Sequence, residues 1–215
     1  MTHAADIFWS FRSPYSYIAV HKYRALAAEL DVALNLRPVY PLAIREPNFF
    51  ERNHPNWFRY LFTDVPRLAQ FHGIPFAFPR PDPIVQNIAT REIAAEQPHI
   101  HRLTRMGQAA ARRGRGLEFA DEVSQLIWGG TTGWNEGDHI ARATARAGLD
   151  HDELEAEVAA QPDALDADIA ANQSALEASG HWGVPTLVYD GEPFFGQDRV
   201  DLAAWRMEQK GVQRR

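Results

Sequence analysis

The chain contains no cysteine. That excludes a disulfide framework, a thiolate metal site and a thiol nucleophile of the protein's own. It also has no apolar run near the ~18–20 residues of a membrane span, so no membrane partner is expected. The opening Met1-Thr2-His3-Ala4-Ala5-Asp6 lacks a basic segment followed by an apolar one. A secretory leader is therefore not expected, and the default is a cytoplasmic protein. Positive charge is in deficit, with a formal net charge of −6. This argues against nucleic acid, whose phosphates need a basic face. A Gly-rich phosphate loop and a serine-hydrolase elbow are missing too. His99 and His101 form His-x-His and the other histidines are scattered, without acidic or sulfur partners at ligand spacing, so no metal is expected.

What is present is enough to fold. The 215 residues are 45% hydrophobic and 23% charged, which allows one large domain or a small domain carrying an insertion. Ile7, Trp9 and Phe11 alternate with Phe8 and Ser10, as in a short strand. Pro14 suits the first turn of a helix, and Ala19, Tyr23, Leu26 and Leu30 continue it at helical spacing. Val32, Leu34 and Leu36 then alternate in a second strand running to about Tyr40. A strand, helix, strand order with a whole helix as connector reads as a parallel βαβ unit.

From Pro41 the character changes. Prolines 47, 55, 66, 75, 79, 81 and 83 separate aromatic-rich pieces that include Phe49, Phe50, Trp57, Phe58 and Phe62. Ordinary core packing explains those aromatics most cheaply, though they also suit an aromatic substrate. Beyond Pro83 the pattern is helical over about 84–96, 100–113, 119–128, 138–147, 152–160 and 164–179. Arg102, Arg105, Arg112, Arg113 and Arg115 crowd this span. They read as a solvated helix face, or as a rim attracting an organic anion. Strand chemistry returns in Thr186-Leu187-Val188-Tyr189, Asp190-Gly191 signals a hairpin turn, and Phe194-Phe195 follows. A closing helix from about Asp198 is expected to turn Leu202 and Trp205 inward. The expected organisation is an α/β domain formed by 1–40 and 180–215, with an all-helical insertion at 41–179. The last helix of that insertion, about 164–179, is placed where it can pack on the α/β domain.

Three constellations could carry chemistry. Ser13-Pro14-Tyr15-Ser16 lies between the first strand and the first helix, where a thioredoxin-type protein carries Cys-x-x-Cys. A redox scaffold without sulfur points to a borrowed thiol, and glutathione is the most economical one. A hydroxyl at a helix N-terminus could stabilise its thiolate, or Ser13 could simply cap the helix. In Gly183-Val184-Pro185-Thr186, a proline entering a β-prone run sits at an edge, a bulge or a cis bond. Opposite a thioredoxin-like helix start, such a proline leaves the Val184 backbone open to a peptide-like ligand. An ordinary loop proline is the alternative. In Phe195-Gly196-Gln197-Asp198-Arg199, Gln197 and Asp198 could clamp a γ-glutamyl end, or Asp198 could be an N-cap.

Together with Phe11-Arg12-Ser13-Pro14-Tyr15-Ser16-Tyr17, Tyr60-Leu61, Asp64, Gly73-Ile74-Pro75 and Phe78-Pro79, these motifs carry a resemblance. The chain resembles the 2-hydroxychromene-2-carboxylate isomerases, relatives of the kappa-class glutathione transferases, over essentially its full length. The resemblance implies a thioredoxin-like fold with an all-helical insertion domain, a homodimer, and glutathione in the cleft between domains. It implies Ser13 as the catalytic serine, Val184 before a cis-Pro185 as a backbone contact, and Gln197 with Asp198 at the γ-glutamyl group. Arg12, Tyr15, Trp57 and Tyr60 are candidates to touch a small aromatic acid substrate. Family members often carry a lysine where Trp57 stands, and the segment 53–59 offers only Arg59 as a cation.

The activity so implied is glutathione-dependent isomerisation of a conjugated aromatic keto acid by thiolate addition, bond rotation and elimination. A kappa-type glutathione transferase shares the nucleophile machinery and stands as the enzyme alternative. A non-catalytic thioredoxin-like binding module is the alternative outside enzymes. Disulfide exchange with sulfurs of this chain is excluded.

Overall fold

Strand β1 (His3–Trp9) runs parallel to β2 (Val32–Pro38), and helix α1 (Pro14–Glu29) crosses between them. Parallel neighbours cannot be joined by a tight turn, so the topology requires such a crossover. Ile7 faces Leu36 on one side and, on the other, Leu187 of the antiparallel strand β3 (Thr186–Tyr189). Strand β4 (Glu192–Phe195) closes a sheet of order β2-β1-β3-β4. The expected Asp-Gly turn joins β3 to β4. Asp190 and Gly191 have φ of 50° and 76°, the left-handed pair whose twist matches that of the flanking strands.

The computed structural model describes residues 3–46, 48–87, 90 and 92–215, and the Phe50 and Glu51 side chains are outside it. Pro47 and the Phe50 ring, both singled out above, therefore lie outside the described residues. Between β2 and β3 the chain forms a helical insertion. It opens with the short turns α2 (Leu42–Arg45) and α3 (Phe49–Arg52), followed by α4 (Pro55–His72), α5 (Ile100–Arg112) and α6 (Gly116–Trp128). It ends with α7 (His139–Arg146), α8 (His151–Ala160) and α9 (Pro162–Ala178). Helix α10 (Val200–Gln209) packs back on the sheet. The fold is thioredoxin-like, with helices inserted into it.

A continuous hydrophobic core joins both parts. It runs from Ile7 and Leu187 in the sheet through Tyr17 of α1 to Phe119 of α6 and Leu154 of α8. Phe11, just past β1, stacks edge-on against Phe119 with centroids 5.9 Å apart. Helix α5 approaches the same ring because Gly107 has no side chain. A Cβ built there would lie 2.6 Å from the Phe11 ring. Each fully buried ring of this kind contributes roughly 1.5–3 kcal/mol.

Two local expectations are overturned. The described residues of 84–96 form no helix. The segment instead folds back on itself, with an antiparallel bridge between Gln86 and Ile93 and the Ala94 N–H donating to the Val85 carbonyl at 3.0 Å. Gln97 adds to it by accepting the Val85 N–H at 2.8 Å and donating to the Val85 carbonyl at 3.0 Å. Leu202 and Trp205 are 47% and 52% exposed. The inward stripe of α10 is instead Val200, Ala203 and Met207, because its helical frame starts after the turn. The basic crowd at 102–115 is a partly solvated face, with Arg112, Arg113 and Arg115 exposed, but it is no free rim for an anion. Arg105 pairs with Asp166 at 2.6 Å, Arg112 with Asp168 at 2.8 Å and with Glu157 at 2.9 Å, and Arg102 with Glu155, tying α5 to α8 and α9.

Candidate active site

Ser13 precedes α1 with extended backbone, and its Oγ accepts the Ser16 N–H at 3.1 Å. The hydroxyl hydrogen is left to donate, and it reaches the Val184 carbonyl at 3.4 Å. A strong O–H···O bond is ~2.7–2.8 Å long, so this donor is aimed but weakly engaged. No acidic side chain occupies the first turn of α1, and the positive end of its dipole keeps its pull on anions.

The loop facing Ser13 is held from several sides. The Val184–Pro185 peptide is cis. His181 Nδ1 accepts the Gly183 N–H at 2.9 Å, and Thr186 Oγ1 donates to the Gly183 carbonyl at 2.7 Å. The His181 ring stacks on Phe195 at 3.9 Å, and burial keeps its pKa below the ordinary histidine value. Gly183 is required at this point, because a Cβ would lie 2.6 Å from the Phe195 ring. With the loop fixed in this way, the Val184 N–H donates to no backbone acceptor among the described residues.

The turn after β4 stands at the same place. Gly196 donates its N–H to the Pro185 carbonyl at 2.9 Å and has φ of 102°. Gln197 is buried, yet its amide has no protein partner among the described residues. Asp198 is more exposed and pairs with Arg199 at 2.6 Å. It is not a helix cap, because Arg199 holds that position and makes no side-chain cap bond.

These pieces meet in one cleft of about 1320 Å³, larger than the roughly 300–1,000 Å³ of a usual small-molecule site. Ser13, Val184, Pro185, Gln197 and Asp198 line it, as do Arg12, Tyr15, Trp57 and Tyr60. The insertion supplies an aromatic wall. Phe62 lies 5.1 Å from Phe78, and Trp57 packs edge-on against Phe58 at 5.1 Å. Tyr60 is 60% exposed.

Several roles differ from a simple reading of the sequence. Arg12 is engaged by a carboxylate the sequence reading did not single out. Its Nε and Nη2 donate to the two oxygens of Asp82 at 3.0 and 3.1 Å. Asp82 also accepts the Ile84 N–H at 3.0 Å, so it folds its own loop and fixes Arg12 together. The signal available in sequence was a lone carboxylate between two prolines, Pro81-Asp82-Pro83. Tyr15 donates to Asp64 at 3.0 Å. Burial, then the Asp64 charge, raises its phenol pKa and keeps it protonated. Arg59 does not line the cleft, whereas Arg80 does. Trp182, beside Gly183, is a further aromatic wall residue that the sequence reading passed over.

A DSBA-like thioredoxin domain matches residues 4–208. The chain belongs to this family. Within the DSBA-like fold, this member carries Ser13-Pro14-Tyr15-Ser16 and no cysteine anywhere in its sequence. Its structure is similar to that of a 2-hydroxychromene-2-carboxylate isomerase, with TM-score 0.69 and 22% identity over 96% of this chain and 95% of that one. It is also similar to a probable DsbA oxidoreductase, SCO1869, from Streptomyces coelicolor, with TM-score 0.65 and 18% identity over 96% and 89%. A third likeness is to the cytosolic disulfide reductase DsbM from Pseudomonas aeruginosa, with TM-score 0.60 and 17% identity over 96% and 98%. DsbM has also been solved with GSH. At these identities the likenesses establish the fold. No curated protein matches the sequence. No helix among the described residues is long and apolar enough to cross a membrane.

Proposed function

We propose that this DSBA-like protein is a glutathione-dependent isomerase of the 2-hydroxychromene-2-carboxylate type, acting on a conjugated aromatic keto acid. The observation that carries the reading is the loosely held Ser13 hydroxyl at the start of α1, facing Val184 across 3.4 Å. A disulfide enzyme of this fold would place sulfur there, and this chain has none.

The residues present fit a tripeptide with a thiol. The Val184 N–H and carbonyl offer a strand-like pair to a peptide backbone. The amide of Gln197, which has no protein partner among the described residues, and the carboxylate of Asp198 line the cleft where a γ-glutamyl carboxylate and ammonium would be received.

Bound glutathione would supply a thiolate nucleophile that can add to a conjugated carbon and leave again. Ser13 would donate its hydrogen to the sulfur, giving up the long bond to Val184 while still accepting from Ser16. The helix start would favour the anionic form, since free thiols titrate near ~8.5 and helix N-termini lower that value. The aromatic wall formed by Trp57, Tyr60, Phe62 and Phe78 would hold a flat substrate and keep water from it.

Calorimetric titration with glutathione and with S-methylglutathione tests the reading. Glutathione should bind more tightly, because only it can form the thiolate. The absence of heat at millimolar glutathione would remove the proposal and favour a binding module with another ligand.

A further inference from the structure

Charged side chains in the cleft are compensated with one exception. Arg12 is matched to Asp82, Asp64 to Arg67 at 2.9 Å, and Asp198 to Arg199. Arg80 also lines the cleft and is exposed. Its guanidinium has no carboxylate within ion-pair distance and no hydrogen-bond acceptor among the described residues.

The backbone beneath this side chain is firmly held. The Arg80 carbonyl accepts the Gly133 N–H at 2.8 Å. Arg80 also bridges Thr132. The next carbonyl, that of Pro81, accepts from Trp134 Nε1 at 2.7 Å. Arg80 thus lines a cleft walled by aromatic rings from an anchored base. A planar fork of donors there matches a carboxylate in two-point geometry, and low-dielectric walls strengthen its attraction for an anion.

We infer that Arg80 is the specificity-determining residue that selects the carboxylate of the acceptor substrate, and that Arg12 is a structural ion-pair partner of Asp82. This inference rests on the reading of the cleft as a site for an aromatic acid. It does not depend on which thiol, if any, binds beside Ser13.

The test uses trans-cinnamate, an unreactive aromatic acid, and its uncharged counterpart cinnamamide, read by quenching of tryptophan fluorescence. The intact protein should prefer cinnamate by about tenfold or more, the scale of one charged hydrogen-bonded contact. Arg80→Gln should abolish that preference, with unchanged cinnamamide affinity, unchanged glutathione heat and an unchanged melting temperature. Arg12→Gln tests the other assignment. It should lower the melting temperature, because Asp82 loses its partner, and any folded fraction should keep the cinnamate preference. Full preference for cinnamate in Arg80→Gln overturns the inference, as does equal binding of both probes by the intact protein. Loss of glutathione heat with cinnamate preference intact would refute the thiol reading alone.

Discussion

The Ser13 hydroxyl meets the Val184 carbonyl at 3.4 Å, linking the start of α1 to the loop before β3 across 171 positions of sequence. The contact is long for an O–H···O bond. The donor is therefore oriented by the fold and still available to an incoming anion.

Replacing that hydroxyl separates its two possible roles. As a cap, Ser13 contributes about 1 kcal/mol to α1, a Tm difference of roughly 2–4 °C for a chain of this size. As a thiolate donor, its removal should cost about 10²–10³ in turnover, the usual effect of deleting one preorganised donor. Ser13→Ala should therefore fold, and the apparent pKa of bound glutathione should rise when thiolate absorbance is followed against pH. An unshifted titration would leave Ser13 as a cap only.

The Phe11 ring offers a test of how the insertion supports the site. Gly107→Ala would place a methyl group 2.6 Å from that ring. Both the ring and α5 are enclosed by core, so the clash cannot be relieved toward solvent. Overpacking of this kind costs about 1–3 kcal/mol. Denaturant unfolding should show the loss, and glutathione affinity should fall with it, because Phe11 lies two positions before Ser13. Wild-type stability in the variant would show that α5 can slide freely past the sheet.

The ionic links between α5 and α9 predict a pH dependence. Asp166 accepts from Arg105 at 2.6 and 2.8 Å and from Tyr40 at 2.6 Å. The Arg105 hydrogen bond outweighs burial, and the folded-state pKa lies below the ordinary aspartate value. A carboxylate depressed in the folded state stabilises above its unfolded pKa and loses that contribution as pH falls through the folded one. Asp166→Asn should therefore lower Tm at pH 7 by about 2–4 °C, as for ~1 kcal/mol in a partly exposed network. The gap to wild type should close below about pH 4, near the ordinary aspartate pKa. A gap that persists in acid would mean that the amide disrupts packing instead.

The two ends of the chain were legible in sequence because each rule there acts locally. Alternation in Val32-Ala33-Leu34-Asn35-Leu36, Pro14 in a first helical turn and Asp190-Gly191 in a tight hairpin all gave the observed elements. Helix α4 was not legible, because Pro66 lies inside it and prolines were read as breaks. The helix nevertheless starts on Pro55, where a missing N–H costs nothing, and ends at Gly73 with φ of 66°. The segment 84–96 misled in the opposite sense, since its apolar spacing suits a helix while its backbone folds back to pair with itself and the adjoining Gln97 adds side-chain hydrogen bonds. At the site, the lining residues Ser13, Val184, Pro185, Gln197 and Asp198 were foreseen from motifs, whereas Arg80, Asp82 and Trp182 were not. The occupation of Arg12 by Asp82 was not, because 70 residues separate the partners.

Gly107 and Phe11 have a further consequence for engineering. The tight seating of α5 on the residue just upstream of Arg12-Ser13 makes the insertion a load-sharing buttress rather than a detachable cap. Redesign for new substrates should therefore succeed at the outward-facing Trp57 and Tyr60. Grafts that exchange α5 should unseat the Ser13 pocket along with the wall.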